Sequence, residues 1–335
     1  MTMAVNIFLA TTGHGLARAS HDSYDEWSVE ILLPDQDLRC LAANPANPQV
    51  IYAGTQGNGV FRSYDGGKTW YAAGLTGQII KALAVSPVSP GTVYAGTNPA
   101  LLFTSRDEGA SWTELASFRH IRSRRFWFSP AEKPFTAYVQ AIALSPTDHN
   151  TMIVGIEAGA VVRSLDGGQT WSGHRRGALR DCHSLTFHAT SGDWVYEGGG
   201  TGAGVAVSRN AGERWTQPGE GLDRHYGWAV AANPARPEVW YVSVAPSPMK
   251  AHSEHRAQAA LFRAVGGAPW QHLSGGLPQP LDAMPYALLT DPASPGHVYA
   301  GLSNGDVWHS TDHGDSWERL PFNLKHISHT LLVLP

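Results

Sequence analysis

Ser63-Tyr-Asp-Gly-Gly-Lys-Thr-Trp70 is the stretch that decides the fold, because it returns four more times. The other copies are Ser105-Arg-Asp-Glu-Gly-Ala-Ser-Trp112, Ser164-Leu-Asp-Gly-Gly-Gln-Thr-Trp171, Ser208-Arg-Asn-Ala-Gly-Glu-Arg-Trp215 and Ser310-Thr-Asp-His-Gly-Asp-Ser-Trp317. All five read Ser-x-Asp/Asn-x-Gly-x-x-Trp. Two degenerate copies extend the series: Ser20, Asp22 and Trp27 keep the spacing without the glycine, and Gly266-Gly-Ala-Pro-Trp270 follows Phe262-Arg263 with one residue deleted. The seven tryptophans are spaced by 43, 42, 59, 44, 55 and 47 residues. A period in the low forties is that of a four-stranded propeller blade and is too long for most helical repeats.

Working outward from each box, a second pattern lies upstream, as in Leu41-Ala-Ala-Asn-Pro45 before Val50-Ile-Tyr-Ala-Gly54 and Leu83-Ala-Val-Ser-Pro87 before Val93-Tyr-Ala-Gly96. This is a strand, a proline-containing turn and a second strand. Each repeat therefore predicts inner strand, second strand, third strand, box turn and outer strand. The chain starts on a second-strand pattern, Asn6-Ile-Phe-Leu-Ala10, and ends on an inner-strand pattern, His329-Thr-Leu-Leu-Val-Leu-Pro335. Pairing the two ends would complete the first blade and leave no open edge. The expectation is an all-β chain: one seven-bladed β-propeller over residues 1–335, with four-stranded antiparallel blades and a ring closed by the C-terminal strand. The two long steps place insertions at about 113–138 and 243–260.

At the boxes the chain resembles the Asp-box, or BNR-repeat, seven-bladed propellers. These occur in sialidases, xyloglucanase-type glycosidases, sortilin-type receptors and photosystem II assembly factors, and the resemblance covers nearly the whole chain. It looks most like the bacterial single-propeller proteins described as glycosyl-hydrolase-like or exo-sialidase-like. The resemblance implies fold far more than chemistry. In the box itself, an Asp or Asn accepting turn N–H groups, a glycine with positive φ and a packed tryptophan are fold-forming roles.

Composition agrees with short strands and tight turns, since 36 Gly and 22 Pro make up about one residue in six of the 335. The formal charge of −4 gives no overall attraction to nucleic acid or to an anionic membrane, and neither is an expected partner. Cys40 and Cys182 are too few for a disulfide framework. The first ten residues carry no cationic segment ahead of their short apolar run, and no run of about 18 apolar residues occurs, so a cytoplasmic setting is expected.

Function is expected on the face opposite the boxes, where second-to-third and outer-to-inner connections meet near the axis. Aligning inner strands on their prolines puts Arg39, Lys81, Gln140, His183, Trp228, Tyr286 and His329 at one equivalent position, ringing the axial mouth. Cations, imidazoles and aromatics together suit an anionic or sugar-like group. The first insertion contains Arg119-His-Ile-Arg-Ser-Arg-Arg-Phe-Trp-Phe128, whose Arg124 and Trp127 are further candidates to hold such a ligand above the mouth; the same segment also reads as a solvated basic loop with its aromatics tucked onto the rim. The second, with His252, Glu254 and His255, reads as a polar lid.

Three functions compete. The first is a binding propeller whose mouth takes a small molecule, glycan or peptide. The second is a glycoside hydrolase using Glu157, at a second-strand end, and Asp181, just before His183, as its carboxylate pair. That pair would need a separation of about 5 Å for retention or about 6.5–9.5 Å for inversion. A true sialidase, by the resemblance, needs an arginine triad, whereas only Arg39 with Lys81 beside it occupies the ring. The third is a metal enzyme built on His183 and His329, with His225 nearby. The motifs themselves call for no metal and no cofactor.

Overall fold

The computed structural model describes residues 7–21, 26–129 and 135–335. Seven antiparallel sheets follow one another around a ring. Blade one is assembled from both ends of the chain, in the order Leu331–Leu334, Ile7–Thr11, Leu16–His21 and Trp27–Leu32. The inner strands of blades two to seven are Leu38–Asn44, Ile79–Val85, Val139–Leu144, Cys182–Phe187, Tyr226–Ala232 and Pro285–Asp291. Ring closure is as expected, with Ile7 opposite Leu334 and Ala10 opposite Leu331. Asn6 lies outside the described residues. His329 precedes the ladder, and its N–H bonds the Thr11 hydroxyl at 3.2 Å. Among the described residues no helix is long and apolar enough to cross a membrane.

Six sheets have four strands and blade four has three, Val139–Leu144, Met152–Ile156 and Val161–Ser164. Its outer edge is followed by an irregular chain that substitutes side chains for ladder bonds. Ser172 N–H reaches Arg163 O at 2.8 Å and Arg175 N–H reaches Val161 O at 3.0 Å. Between them, Arg163 N–H is taken by Ser172 Oγ and Val161 N–H by His174 Nδ1.

The core is distributed between blades. Seven apolar clusters form, one at each seam, as where Ala82, Tyr94 and Leu102 of blade three meet Val139, Met152 and Val154 of blade four. Two repeated features make these seams. In each of the five full boxes, two successive residues are left-handed: Gly66 and Gly67, Glu108 and Gly109, Gly167 and Gly168, Ala211 and Gly212, His313 and Gly314. The serine hydroxyl accepts the second of these N–H groups, as Ser63 does from Gly67 at 2.9 Å, while Asp65 Oδ1 accepts from Lys68 and Thr69. The second feature is the glycine near the end of the second strand. A Cβ there would strike the next blade's inner strand, at Ile80 for Gly54, Val139 for Gly96 and Cys182 for Gly155.

The first insertion forms two short 3-10 helices, Ala116–His120 and Arg122–Phe126. Phe118 and Ile121 are buried against blade four, and Phe118 meets Trp171 edge-on. Pro130 and Pro134 lie outside the described residues. The second insertion carries one helical turn, Pro248–Ala251, at the mouth of blade six.

Candidate functional site at the axial mouth

The seven aligned residues converge: Arg39, Lys81, Gln140, His183, Trp228, Tyr286 and His329 all line one axial cavity of about 220 Å³. The backbone cause is a repeated bulge. Leu38 pairs with Thr55 but Cys40 with the adjacent Gly54, leaving Arg39 without an opposite residue. The same skip occurs across Lys81, Gln140, His183 and Tyr286, and between Gly227 and Val230 around Trp228. A bulge bends the strand and re-aims one side chain, here toward the axis in blade after blade. Neighbouring bulges also bond each other. Gln140 Nε2 donates to His183 O at 3.2 Å, His183 Nδ1 lies 2.7 Å from Gly227 O, and Ser184 Oγ donates to Trp228 O at 2.6 Å.

A wider recess of about 550 Å³ opens from this cavity and shares Trp228, Tyr286 and His329 with it. His252, Glu254 and His255 of the second insertion line its rim, so this segment does border the mouth. His252 Nδ1 is 2.7 Å from the Tyr286 hydroxyl and its Nε2 is 3.0 Å from that of Tyr226. The first insertion is elsewhere. The Arg124 guanidinium lies against Phe118 and Trp127, Trp127 packs on Gly159, and neither residue lines either cavity. The buried Phe118 and Ile121 draw this segment onto blade four, which is why it does not roof the axis as expected.

One side of the cavity is cationic. Arg39 pairs with Asp37 at 3.0 Å, and the Lys81 ammonium lies over the Tyr138 ring at 4.5 Å. Burial pushes the His329 imidazole down to about 3, and the charges of Lys81 and Arg39 push the same way, so it is neutral at pH 7. Across from this cationic side His183 lines the cavity, and behind His183 stand Glu157 and Asp181, which are not among the lining residues. His183 Nε2 is 3.5 Å from Asp181 Oδ2 and 3.9 Å from Glu157 Oε2. Burial raises the Glu157 carboxyl to about 7, and the Asp181 charge adds to this against His183 and Lys81. Burial would also raise Asp181, but its contact with His183 and the Ala158 N–H outweigh it and hold the group below the usual range. For His183, burial is outweighed by Asp181 and Glu157, so the ring favours its cationic form. His225 and His329 do not join this group, so the histidine-only metal reading finds no matching geometry among the described residues.

Sequence reasoning pointed to the ring and the Glu157–Asp181 neighbourhood and named His252 only as part of a polar lid, and it missed Tyr226 and the buried Glu197. Glu197 had a visible signal. It occupies the second-strand position held by Ala53, Ala95, Val154 and Ala300 in other blades, directly before the repeated glycine.

No protein-family model matches the chain, and no curated protein matches it. Solved structures do. An ancestral GH74 enzyme aligns with a TM-score of 0.65 at 20% identity, covering 84% of this chain and 38% of that one. The chain thus spans well under half the length of that enzyme. YCF48 bound to D1 peptide aligns at 0.60 and 14% identity, covering 86% and 82%, and YCF48 from Cyanidioschyzon merolae at 0.58 and 14%, covering 87% of each. At these identities the likeness is one of fold.

Proposed function

We propose that this chain is a ligand-binding propeller that takes an anionic or sugar-like ligand at its axial mouth. The observation that carries the reading is the cationic arc itself. Arg39 and Lys81, from adjacent blades, share one cavity with His329, whose neutral form their charges favour. A carboxylate or phosphate entering this arc gains charge-assisted bonds in a partly desolvated pit, while Trp228 and Tyr286 opposite offer flat faces to a ring. The YCF48 structure with a bound D1 peptide makes a peptide carboxylate one ligand worth testing.

The glycoside-hydrolase reading rests on the GH74 likeness and on the raised Glu157 carboxyl, which suits a general acid. Its difficulty is placement. Glu157 and Asp181 contact each other and converge with His183, their nearest atoms all within 4.8 Å, instead of facing one another across a gap that would admit a sugar.

The test is calorimetry on the intact chain with sugar phosphates, di- and tricarboxylates, neutral oligosaccharides and peptides with a free C-terminus. Binding of an anionic member, weakened at least about 100-fold in the Arg39→Ala, Lys81→Ala double variant, is expected. Turnover of a glycoside that stops in Glu157→Gln while binding persists would replace this reading with the enzymatic one. Ligand binding unaffected by the double variant would remove the cationic arc from the argument.

A further inference from the structure

We infer that Glu157, Asp181 and His183 form a binding site for one divalent first-row transition cation, a property separate from anion recognition by Arg39 and Lys81. The bulge at His183 brings two of the three together. Asp181 and His183 flank Cys182, which is buried in the seam with blade four, and the skip across His183 leaves its Nε2 3.5 Å from Asp181 Oδ2. Glu157 arrives from the adjacent blade, in the turn that follows Met152–Ile156.

Gly227 O, 2.7 Å from His183 Nδ1, accepts the hydrogen bond from that nitrogen, so Nε2 is the atom that faces both carboxylates and becomes a ligand when the incoming cation displaces its proton. A carbonyl fixing the ring in this way is the usual outer partner of a metal-binding histidine. Trp228 and Tyr226 pack against the ring from adjacent directions, with centroids 4.4 and 4.9 Å away. Ala158 N–H engages Asp181 Oδ1 at 3.3 Å, which leaves Oδ2 directed at His183.

Spacing then points to a metal. A tetrahedral ion with bonds of about 2.1 Å holds its donors about 3.4 Å apart. Asp181 Oδ2 and Glu157 Oε2 stand 3.5 and 3.9 Å from His183 Nε2, so small side-chain adjustments close the shell. Among the described residues, this is the one group of three such side chains with ligand-like spacing. One imidazole with two carboxylates favours zinc, manganese, iron or cobalt over calcium and magnesium, which prefer all-oxygen shells. His183 is the member of the group that also lines the axial cavity.

The experiment titrates the chelator-stripped full chain with Zn2+ by calorimetry and with Co2+ by visible absorbance. One ion per chain is expected, with affinity lowered at least about 100-fold in Asp181→Asn and in His183→Gln, since losing a ligand costs more than losing its outer partner. His309→Gln, which breaks the outlying His297–His309 pair at 3.2 Å, should leave the stoichiometry unchanged. Should the site variants fail to fold, the wild-type Co2+ spectrum decides: bands of nitrogen and oxygen ligation without thiolate charge transfer support the site. No stoichiometric ion, a thiolate band, or a site lost in His309→Gln but kept in Asp181→Asn overturns it. None of these outcomes bears on the Arg39 and Lys81 test, which uses no metal.

Discussion

Gly96 and Val139 meet so closely across the seam between blades three and four that a Cβ on the glycine would lie 2.3 Å from Val139 Cγ1. The inner strand of one blade thus rests directly on the backbone of the blade before it. Gly96→Ala must push that strand outward, and a destabilisation of about 1–3 kcal/mol is expected. Gly173→Ala is the control, because its Cβ would meet nothing within 4 Å. Urea unfolding of both variants measures the difference, and equal midpoints would contradict close inter-blade contact as the reason for the repeated glycine.

The boxes give a second prediction. Burial would raise the Asp65 carboxyl, yet hydrogen bonds from Thr69, Ser63 and Lys68 hold it at about 2. Asp65→Ala should cost about 1–2 kcal/mol through lost turn bonds and leave axial ligand binding intact. Asp65→Asn should cost less, since Asn210 accepts from Arg214 N–H in the same turn of blade five. A folded carboxyl below its unfolded value stabilises above about pH 4 and loses that contribution as pH falls toward 2, so the Ala deficit should shrink over this interval. Thermal melts from pH 2 to 7 would show it, and a deficit that grows on acidification would refute the assignment.

Glu197 supplies the opposite sign. It is fully buried, its Oε2 accepts from Leu179 N–H at 2.9 Å, and its Oε1 has no hydrogen-bond partner among the described residues. Burial raises its carboxyl to about 8, with Leu179 N–H and the Cys182 thiol opposing and Asp181 adding. The folded state keeps a proton that the unfolded chain releases above about pH 4.5, so this group's contribution is full below that value and is lost as pH rises to about 8. Glu197→Gln should therefore gain a few kcal/mol on wild type between pH 5 and pH 8. Parallel pH–stability curves for the two proteins would contradict a protonated Glu197.

How much of this was readable beforehand depends on what a repeat can encode. The boxes, the Tyr-Ala-Gly second strands and the split first blade are periodic, so alignment alone exposed the ring and brought Arg39, Lys81, Gln140, His183, Trp228, Tyr286 and His329 to one level. That same alignment did not reveal that all but His329 sit at a bulge, because a bulge is a mismatch between two strands and not a property of either. The insertions have no repeat to be aligned with. The arginines at 119–125 suggested a ligand loop, but Phe118 and Ile121, ordinary in sequence, decided where it packs. The meeting of His183 with Glu157 and Asp181 likewise needed the side-chain directions, whereas chain order indicated only that blades four and five are adjacent.

Ring closure depends on Thr11, which is completely buried. Its hydroxyl oxygen accepts from His329 N–H at 3.2 Å and Thr330 N–H at 3.0 Å, just before the closing strand Leu331–Leu334 begins. Thr11→Val keeps the shape and leaves these donors without that acceptor. A loss of about 1–3 kcal/mol is expected, together with faster amide exchange at 331–334 than in the other inner strands. Uniform exchange across all seven inner strands would show that closure does not rest on this residue.

The final prediction concerns the rim. His252 links the second insertion to the mouth through the Tyr286 and Tyr226 hydroxyls, and the Tyr286 hydroxyl donates onward to Ala251 O at 3.2 Å. Because Tyr286 spends its one proton on Ala251, it must accept from His252 Nδ1–H. Nε2 is then left to accept from Tyr226, which defines a neutral ring with a single tautomer. His252→Ala removes both bonds but little core contact, so global stability should change by under about 1 kcal/mol. Local opening of the segment should rise by about tenfold, as expected for the loss of two exposed-edge hydrogen bonds. Trypsin reads this directly, since Lys250 and Arg256 bracket His252: cleavage at these sites should accelerate by that factor while the rest of the ring resists. His252→Gln, whose amide offers one donor and one acceptor, should recover part of the protection. Unchanged cleavage in His252→Ala would show that the segment is held by its apolar contacts, such as buried Ala251 and Ala257, and that the histidine bridge is not its anchor.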